Sequence, residues 1–419
     1  MNITYYYGQD GEIADNKLID LFDLGTKELR YSDKLGQNLF DITGFVFNNN
    51  KILVIFPKHY FDSNSLSIKN ESNEYLKDDI NILIDVIKQY CSNSKSTVSA
   101  NSYIGATDIF DSDYPFKQFY NVYDYFQKYG LYKQKQSYIK EGSSGKINWK
   151  TVIDKAKKII SNNNLIFMPL YVEKKKHNDF FLTECMTFII DYTIDYFQDF
   201  LSMEQTGTKY HFDFYNNIEY VIKQLKSTKD NLFKDSEIAL VKSMIEFFEY
   251  FNRNAKGGNI HVRIRYFNII WQNMIEKYIN CHFSEINPDS GAAIFNPSIK
   301  KSSVQFSQKS YNDIDNSIHN FGINIDHLAL QDNQLYIFDS KYYTNIEDLN
   351  YKQYAYNEIL RYYYPNITEI NNILFLPGEE SSCIHFSLSP KYIGERQFGT
   401  KIIEQYISPK NVMIDYINR

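Results

Sequence analysis

The chain has 419 residues, of which 43% are hydrophobic and 23% are charged, and its formal net charge is −6. This length predicts two or three domains rather than one core, and the composition excludes a disordered protein. The negative net charge argues against a protein that coats nucleic acid unaided, although a local basic groove or a partner subunit would still allow contact with DNA.

Cysteine usage and the N-terminal sequence predict a cytoplasmic protein. Cys91, Cys185, Cys281 and Cys383 lie far apart and form no CxxC pair, so we expect reduced thiols. The N-terminal sequence MNITYYYGQDGEIADN has neither the basic nor the apolar region of a signal peptide. No stretch approaches the roughly 18 unbroken apolar residues of a membrane span.

The first hundred residues predict a β-rich N-terminal domain, 1–100. Apolar runs at 40–47 and 51–58 flank an asparagine cluster and predict a hairpin. Residues 78–91 have helical periodicity. The polar stretch of small residues at 92–102 is the linker that we expect to end this domain.

Residues 101–255 predict a mainly helical middle region. Apolar and aromatic residues recur at helical spacing in four segments, which are 114–132, 151–160, 179–201 and 236–252. Gly130 is expected to end the first helix, and Asn148 is expected to cap the second. The KGGN sequence at 256–259 interrupts the pattern and predicts a domain boundary.

Residues 256–419 predict a third domain in which helices and strands alternate. The pattern comprises a helix at 262–283, two strands around Asp332-Asn333, a helix at 347–364 and a strand at 371–378. This order predicts a mixed sheet flanked by helices. The fold class of the whole chain is therefore predicted to be α+β or mixed α/β.

The stretch GINIDHLALQDNQLYIFDSKYY (322–343) predicts a β-hairpin with an acid on each strand. Asp and Asn tolerate the positive φ angles of a two-residue hairpin turn, so we place the turn at 332–333. In that register Asp326 lies directly opposite Asp339. A slip of one residue would separate the two acids, so the predicted site depends on the register.

Lys341 follows Asp339 by two residues, and strand alternation therefore places both side chains on one face. Directly opposed side chains have Cβ atoms about 4.5–5.5 Å apart, so the pattern gathers two carboxylates and an ammonium group. Two carboxylates this close repel each other unless a proton or a cation lies between them, and Mg²⁺ is a fitting cation. The alternative is a hairpin whose acids lie on a solvated face. Apolar neighbours along both strands favour burial instead, where acids need partners.

Three residues on the neighbouring predicted helices are additional candidates. Glu276 shares a helix face with Gln272 and would supply an upstream carboxylate, unless it is a solvated helix position. Gln353 and Tyr356 lie one turn apart on the following helix and are candidates for contact with the site or the DNA backbone. Local packing or hydrogen bonding is the favoured alternative for these two.

Ile325-Asp326 and, after twelve further residues, Asp339-Ser340-Lys341 resemble the PD-(D/E)xK nuclease motif, with Ile in place of the usual Pro. Three further segments occur in the order found in the LlaJI family of restriction endonucleases, namely GFVFNNNKILVIFPK (44–58), GSSGKINWKTVI (142–153) and FNIIWQNMIEKY (267–278). That family is similar to McrC, the nuclease subunit of McrBC-type systems.

This resemblance implies a two-subunit restriction system that acts on double-stranded DNA. The C-terminal domain would be a PD-(D/E)xK restriction-endonuclease-like nuclease, and the N-terminal domain would dock on an McrB-like AAA+ GTPase. GTP would act only through that partner. By motif, Asp326, Asp339 and Lys341 would be catalytic.

The resemblance also implies a metal site with Mg²⁺ as the cofactor and Mn²⁺ as an alternative. Its ligands would be Asp326, Asp339 and the main-chain carbonyl of Ser340. Related proteins often have Glu directly after the helix Trp, where this chain has Gln272. Glu276 is therefore the candidate for the fourth ligand.

Two other functions remain alternatives. The long portion 1–255 outside the nuclease domain fits a non-catalytic subunit that docks on an AAA+ ring and stimulates its nucleotide hydrolysis. A stand-alone PD-(D/E)xK nuclease would cut branched or processed DNA without any nucleotide. The GSSGK sequence departs from the phosphate-loop pattern because Ile147 follows Lys146, so we expect no nucleotide site in this chain.

Overall fold

A computed structural model of the chain describes residues 3–48, 50–62, 66, 70, 75–93, 110–132, 134–161, 164–178, 181–197, 200–201, 203–254, 260–264, 266–315, 317–319, 321–394 and 399–418. Most of the linker predicted at 92–102 lies outside these residues. The helices are α1 (Asn16–Phe22), α2 (Lys77–Asn93), α3 (Phe116–Tyr129), α4 (Trp149–Lys155), α5 (Phe181–Tyr196), α6 (Ile218–Lys229), α7 (Asp235–Asn254), α8 (Phe267–His282), α9 (Tyr351–Tyr363) and α10 (Pro409–Ile417), with a 3₁₀ turn at Pro390–Tyr392.

The strands in the first half of the chain are β1 (Thr4–Gln9), β2 (Leu29–Ser32), β3 (Gln37–Phe40), β4 (Thr43–Asn48), β5 (Lys51–Phe56), β6 (Phe110–Ser112), β7 (Gln134–Glu141), β8 (Lys146–Ile147), β9 (Lys157–Ser161), β10 (Asn164–Met168) and β11 (Tyr171–Asn178). Those in the second half are β12 (Ile260–Ile264), β13 (Phe283–Ile286), β14 (Ala293–Phe295), β15 (Ser307–Tyr311), β16 (Ile323–Gln331), β17 (Gln334–Ser340), β18 (Glu369–Pro377), β19 (Ser381–Ser387) and β20 (Lys401–Ile407). The predicted mixed α/β character is confirmed.

The N-terminal part forms a five-stranded sheet in the order β1-β5-β4-β12-β6. The predicted hairpin is confirmed as β4 and β5, which pair antiparallel, while β1 runs parallel to β5. Residues 52–56 are all buried, because β5 is an interior strand whose side chains are covered on both faces. The carboxyl ends of β1 and β5 therefore lie side by side.

Strand β12 corrects the prediction of a helix that begins at residue 262. Residues 260–264 instead pair antiparallel with β4 and with β6, and α8 begins only at Phe267. The sequence IHVRI alternates apolar and polar residues with a period of two, which is the pattern of a strand. The helical pattern begins only after this strand, at Phe267.

The chain divides into two compact units. The first combines Met1–Tyr114 with Gly257–Arg419, and the second is Pro115–Lys256. The second unit is inserted between β6 and β12, which are neighbours in the five-stranded sheet. The first unit therefore holds both the five-stranded sheet and the C-terminal sheet. The assignment of separate functions to 1–100, 101–255 and 256–419 remains a prediction.

The second unit contains the predicted helices and also strands that were not predicted. Gly130 follows α3 with a φ of 74°, and the Asn148 side chain accepts a hydrogen bond from the Thr151 N–H at the start of α4. The helix predicted at 151–160 ends at Lys155, because the following residues pair antiparallel with Asn164–Met168 as β9 and β10. Isoleucine side chains in these strands favour extended backbone over helix. Strands β7, β8 and β11 form a further antiparallel sheet, so the middle region combines its helices with strands.

The C-terminal part forms a six-stranded mixed sheet in the order β15-β16-β17-β18-β20-β19. Strands β17, β18 and β20 are parallel neighbours, and β16 pairs antiparallel with β17. Helices α8 and α9 both contact β17. Tyr356 and Leu360 of α9 pack on Ile325, Leu335 and Ile337, which fixes this helix over the hairpin. No helix of the described residues is long and apolar enough to cross a membrane.

Candidate functional site

The hairpin of β16 and β17 has the predicted register. Asp332 and Asn333 have φ angles of 51° and 61°, as a tight two-residue hairpin turn requires. Gln331 pairs with Gln334, and the ladder continues to the pair of His327 with Phe338. The next position in this register places Asp326 opposite Asp339.

Asp326 and Asp339 share a hydrogen bond between their carboxyl groups. The Asp339 side chain is only 2% exposed, so little water reaches it. Burial, together with the charge of Asp339, raises the pKa of Asp326 to about 7. The pair therefore holds a proton near neutral pH in the absence of a cation, as the repulsion between facing carboxylates requires.

Lys341 and the backbone of Ser340 complete the cluster. The Lys341 Nζ lies 2.9 Å from each carboxylate oxygen of Asp339. The Ser340 N–H donates to the Asp326 Oδ2 at 3.2 Å. The Lys341 N–H donates to the Phe375 carbonyl at 2.8 Å, so pairing with β18 holds the end of β17 in place. The structure thus brings together the two acids, the serine and the lysine that the sequence singled out.

His327 lies on the other side of the hairpin from this cluster, with the Ser340 side chain. Its ring is fully buried, and burial lowers its pKa to about 4. Its Nε2 lies 2.7 Å from the Ser340 Oγ. A neutral histidine in this position supports the end of β17.

The cluster opens into a cavity of about 440 Å³. Residues in or next to strands of the five-stranded sheet also line it, and α8 and α9 contribute as well. The charged residues of the wall beyond the hairpin are Asp10, Asp41, Lys58 and Lys352. The cavity thus holds four aspartates and three lysines, a polar composition suited to a charged ligand.

The sequence did not single out these additional charged residues. Asp10 directly follows β1 and Lys58 follows β5 after one proline, so both lie at the carboxyl ends of parallel strands. Polar residues that directly follow a buried strand can be recognised in a sequence as candidates for a site. Their positions do not reveal which other sheet the strand ends lie against, and here they lie against the end of β17.

Lys352 reaches the cluster from the first turn of α9. Burial alone would lower its pKa, but hydrogen bonding to Tyr356 and the charges of Asp339 and Asp326 raise it. Its Nζ lies 5.3 Å from the centre of the Tyr356 ring. Lys352 is therefore a second cation held close to the two carboxyls.

The structure does not bring the other predicted residues into the cavity. Gln272 lines the cavity wall, but Glu276, one turn later on α8, does not, and burial raises the pKa of Glu276. Gln353 is fully buried, and its Nε2 donates to the Ile337 carbonyl and to the Asn372 Oδ1. The Tyr356 hydroxyl donates to the Asn324 carbonyl at 2.6 Å. Gln353 and Tyr356 thus hold α9 against the hairpin.

The donor set of the cluster fits Mg²⁺. No group of three or more His, Cys, Asp or Glu side chains within the described ranges is arranged to hold a metal ion. Mg²⁺ does not need such a group, because it binds through one or two carboxylates and takes its other ligands from water and phosphate oxygens. Two facing carboxyls that must otherwise share a proton match this requirement.

No family model matches the sequence, and no curated protein matches it. Among solved structures, the chain is similar to a chain of the refined half-complex from the tetradecameric assembly of Thermococcus gammatolerans McrB AAA+ hexamers with bound McrC. The identity is 13%, the match covers 99% of each chain, and the TM-score is 0.37. Values this low carry no argument about the fold or the function of this chain.

Proposed function

We propose that this chain is a Mg²⁺-dependent DNA endonuclease subunit of a two-component, McrBC-like restriction system that works with an AAA+ GTPase. The hairpin register carries the nuclease part of the proposal. It sets Asp326 opposite Asp339 with the Lys341 ammonium 2.9 Å from the Asp339 carboxylate. Facing acids with an adjacent lysine, on an otherwise buried hairpin, form the core of a PD-(D/E)xK site.

Asp326, Asp339 and the Ser340 main-chain carbonyl would hold the cation, with Mn²⁺ as an alternative to Mg²⁺. When bound, the cation polarises a phosphodiester and lowers the pKa of a bound water. Asp326 gives up the proton that it shares with Asp339, and its Oδ2 keeps the hydrogen bond from the Ser340 N–H. Lys341 orients the attacking water or stabilises negative charge on the phosphate.

The lysines of the cavity support DNA as the substrate. Lys341, Lys352 and Lys58 line the cavity together with the four aspartates, so a phosphate backbone would meet cations beside the acids. The net charge of −6 for the whole chain confines this attraction to the site. A partner subunit would then supply most of the grip on DNA.

The partner part of the proposal comes from the ordered sequence segments that resemble the LlaJI family. An AAA+ GTPase encoded beside this chain is the expected partner. Cleavage that needs both that protein and GTP supports the two-component system. Cleavage that needs neither supports the stand-alone nuclease instead.

The test is cleavage of duplex DNA by the purified full chain with Mg²⁺, alone and with the AAA+ partner and GTP. Asp339→Asn removes one of the facing carboxylates while keeping the size of the side chain. We expect at least about a thousandfold loss of cleavage, because the cation loses a charged ligand. Lys341→Met should cause a comparable loss.

Asp332→Asn is the matched control, because it removes a carboxylate from the turn of the same hairpin. Asn tolerates the positive φ of 51° at that position, so folding should be unaffected. We expect its cleavage to stay within about twofold of wild type. If Asp339→Asn cuts DNA as fast as Asp332→Asn, the nuclease assignment is wrong. If the folded Asp339→Asn variant still stimulates the GTPase of the partner, the docking and cutting roles are separate.

A further inference from the structure

Lys58 lines the same cavity as the hairpin acids, although it lies about 270 residues earlier in the chain, on the five-stranded sheet. Its Nζ lies 2.6 Å from the Asp10 Oδ1, and the two side chains are 12% and 7% exposed. Burial raises the pKa of Asp10, while the charge of Lys58 opposes the shift. The ammonium group is thus held at the cavity wall by a single buried acid.

Tyr342 ties this pair to the hairpin. It directly follows Lys341, and its hydroxyl accepts a hydrogen bond from the Lys58 N–H at 2.9 Å and hydrogen-bonds to Asp10. Its ring packs against Phe267 with centroids 5.3 Å apart. The position of Lys58 is therefore fixed relative to Lys341 and the acids beside it.

The backbone around the pair is also closely packed. Gly11 has a φ of 86°, and a Cβ there would lie 3.0 Å from the Thr344 Oγ1. The His59 Nε2 lies 3.1 Å from the Thr344 carbonyl oxygen. The ends of β1 and β5 are thus in contact with the segment after β17, next to the cavity.

We propose that Lys58 binds a DNA phosphate next to the phosphate at which the strand is cut. Asp10 is then a positioning residue that holds the Lys58 ammonium. This inference rests on the proposed nuclease function. The four aspartates of the cavity repel a polyanion, so DNA enters only where cations offset them. Lys341 and Lys58 both line the cavity, and each ammonium group has one acid partner, Asp339 and Asp10 respectively. The N-terminal sheet then belongs to the substrate site, in addition to any docking role.

The test measures binding of a labelled duplex DNA by the full chain, alone and with its AAA+ partner, with Ca²⁺ in place of Mg²⁺. For Lys58→Met we expect binding about tenfold weaker, and a slope of log K against log salt smaller by about 1, because one phosphate contact is lost. Lys58→Arg should keep the wild-type slope. In cleavage assays Lys58→Met should raise KM more than it lowers kcat, because the contact exists before the chemical step.

Two further variants guard against a purely structural effect. Lys34→Met removes an ion pair with a similar N–O distance, because the Lys34 Nζ lies 2.8 Å from Glu347. Both side chains of this pair are exposed and lie outside the cavity. This variant should leave the salt slope unchanged. The double variant Asp10→Asn with Lys58→Met leaves no buried charge unpaired, so it should fold and still show the smaller slope.

The outcomes separate this inference from the nuclease proposal. If wild type cuts DNA but Lys58→Met and the double variant keep the wild-type slope and KM, then the Lys58–Asp10 pair is structural and the inference fails alone. If Lys58→Met reduces the slope but wild type never cuts, then the nuclease proposal fails and the phosphate contact stands. If wild type binds no DNA, either alone or with its AAA+ partner, the inference is overturned.

Discussion

The unit that contains both large sheets holds two buried clusters of charge that are balanced in opposite ways. One, the Arg263 cluster, consists of Arg263, Glu28, His261 and Asp113, beside β12. The other, the Asp326 cluster, consists of Asp326, Asp339 and Lys341, at the end of the hairpin. Each contains two acids and one cationic side chain, but in the first the acids pair with the guanidinium, whereas in the second they face each other.

In the Arg263 cluster every acid faces a cationic or hydrogen-bonding partner. The Arg263 guanidinium pairs with Glu28, and its Nη2 lies 2.7 Å from the Asp113 Oδ2. Burial alone would raise the pKa of Glu28, but hydrogen bonds from His261, the Gly25 N–H and Arg263 lower it to about 2. The cluster keeps its charges without help from solutes, which suits a role in holding β12 in the sheet.

In the Asp326 cluster two acids face each other with one lysine beside them. Burial and the charge of Asp339 raise the pKa of Asp326, which is the opposite of the shift at Glu28. A buried pair of acids that keeps a proton is a place where an added cation gains the most. The comparison teaches that the arrangement of the charges, acids beside a cation or acids facing each other, sets the direction of the pKa shift in a buried cluster.

The largest effect is expected from Arg263→Met, which removes the guanidinium from the Arg263 cluster. Glu28 and Asp113 are then left near each other without their cation. We expect the free energy of unfolding to fall by about 3–5 kcal/mol, the usual cost of breaking a buried ion pair. Urea denaturation at neutral pH measures it.

Arg30→Met is the control for this change. The Arg30 Nε lies 3.4 Å from the Asp41 Oδ1, and the two side chains are 58% and 52% exposed. An exposed pair contributes about 0–1 kcal/mol, so this variant should unfold almost as wild type does. Equal losses in the two variants would mean that burial does not distinguish the Arg263 cluster.

Unlike Arg263→Met, Asp326→Asn should raise the free energy of unfolding in the absence of divalent cations. The folded-state pKa of about 7 lies above the usual aspartate value of 3.8, so the folded state binds the proton more tightly. Wild-type stability therefore falls as pH rises from about 4 to about 7, whereas Asn has no proton to lose. We expect the variant to be more stable than wild type by on the order of 2 kcal/mol above that range, with the difference vanishing in acid.

Urea denaturation in EDTA at several pH values checks this sign. Asp332→Asn, in the exposed turn of the same hairpin, should show no such pH-dependent gain. A gain for Asp326→Asn that is the same at all pH values would mean that the carboxyl pair does not hold a shared proton.

The two clusters also differ in how far the sequence could predict them. The Asp326 cluster is local, since one turn and strand alternation fix the register that places its three side chains together. The Arg263 cluster joins residues far apart in the chain, and the prediction of a helix at 262–283 concealed the strand that carries Arg263. Asp10 and Lys58 were missed for the same reason, because their neighbour Tyr342 is 284 residues away from Lys58.

Magnesium binding should be coupled to the proton of the Asp326 cluster. The cation and the proton compete for the same carboxyls, so the affinity should fall about tenfold per pH unit below the raised pKa and level off above it. Calorimetric titration of the full chain with Mg²⁺ at several pH values, with proton release measured in two buffers, tests this.

Two variants sharpen the result of that titration. Asp326→Asn should bind Mg²⁺ more weakly and without proton release. Arg263→Met is not suitable as a comparison, because the fold is expected to depend on the guanidinium, so Lys34→Met, which removes an exposed ion pair outside the cavity, serves as the reference. If the affinity of wild type for Mg²⁺ is the same at acid and at neutral pH, the proposed difference between the two clusters is wrong.

The smallest effect is expected from Glu276→Gln, which asks whether the Asp326 cluster includes a third acid. Gln272 and Asn268 of α8 line the cavity, but Glu276 does not, and its raised pKa has burial as its cause rather than a neighbouring charge. We therefore expect cleavage within about twofold of wild type, since an interaction absent from the site adds nothing to transition-state stabilisation. Gln272→Glu is the matched variant, because it places an acid on the cavity wall and should tighten Mg²⁺ binding. If a well-folded Glu276→Gln variant instead loses cleavage and Mg²⁺ affinity together, α8 must turn this carboxylate towards the cation in the working complex. The cluster would then have three acids beside one lysine. Its net negative charge would be larger than that of the two facing aspartates with Lys341.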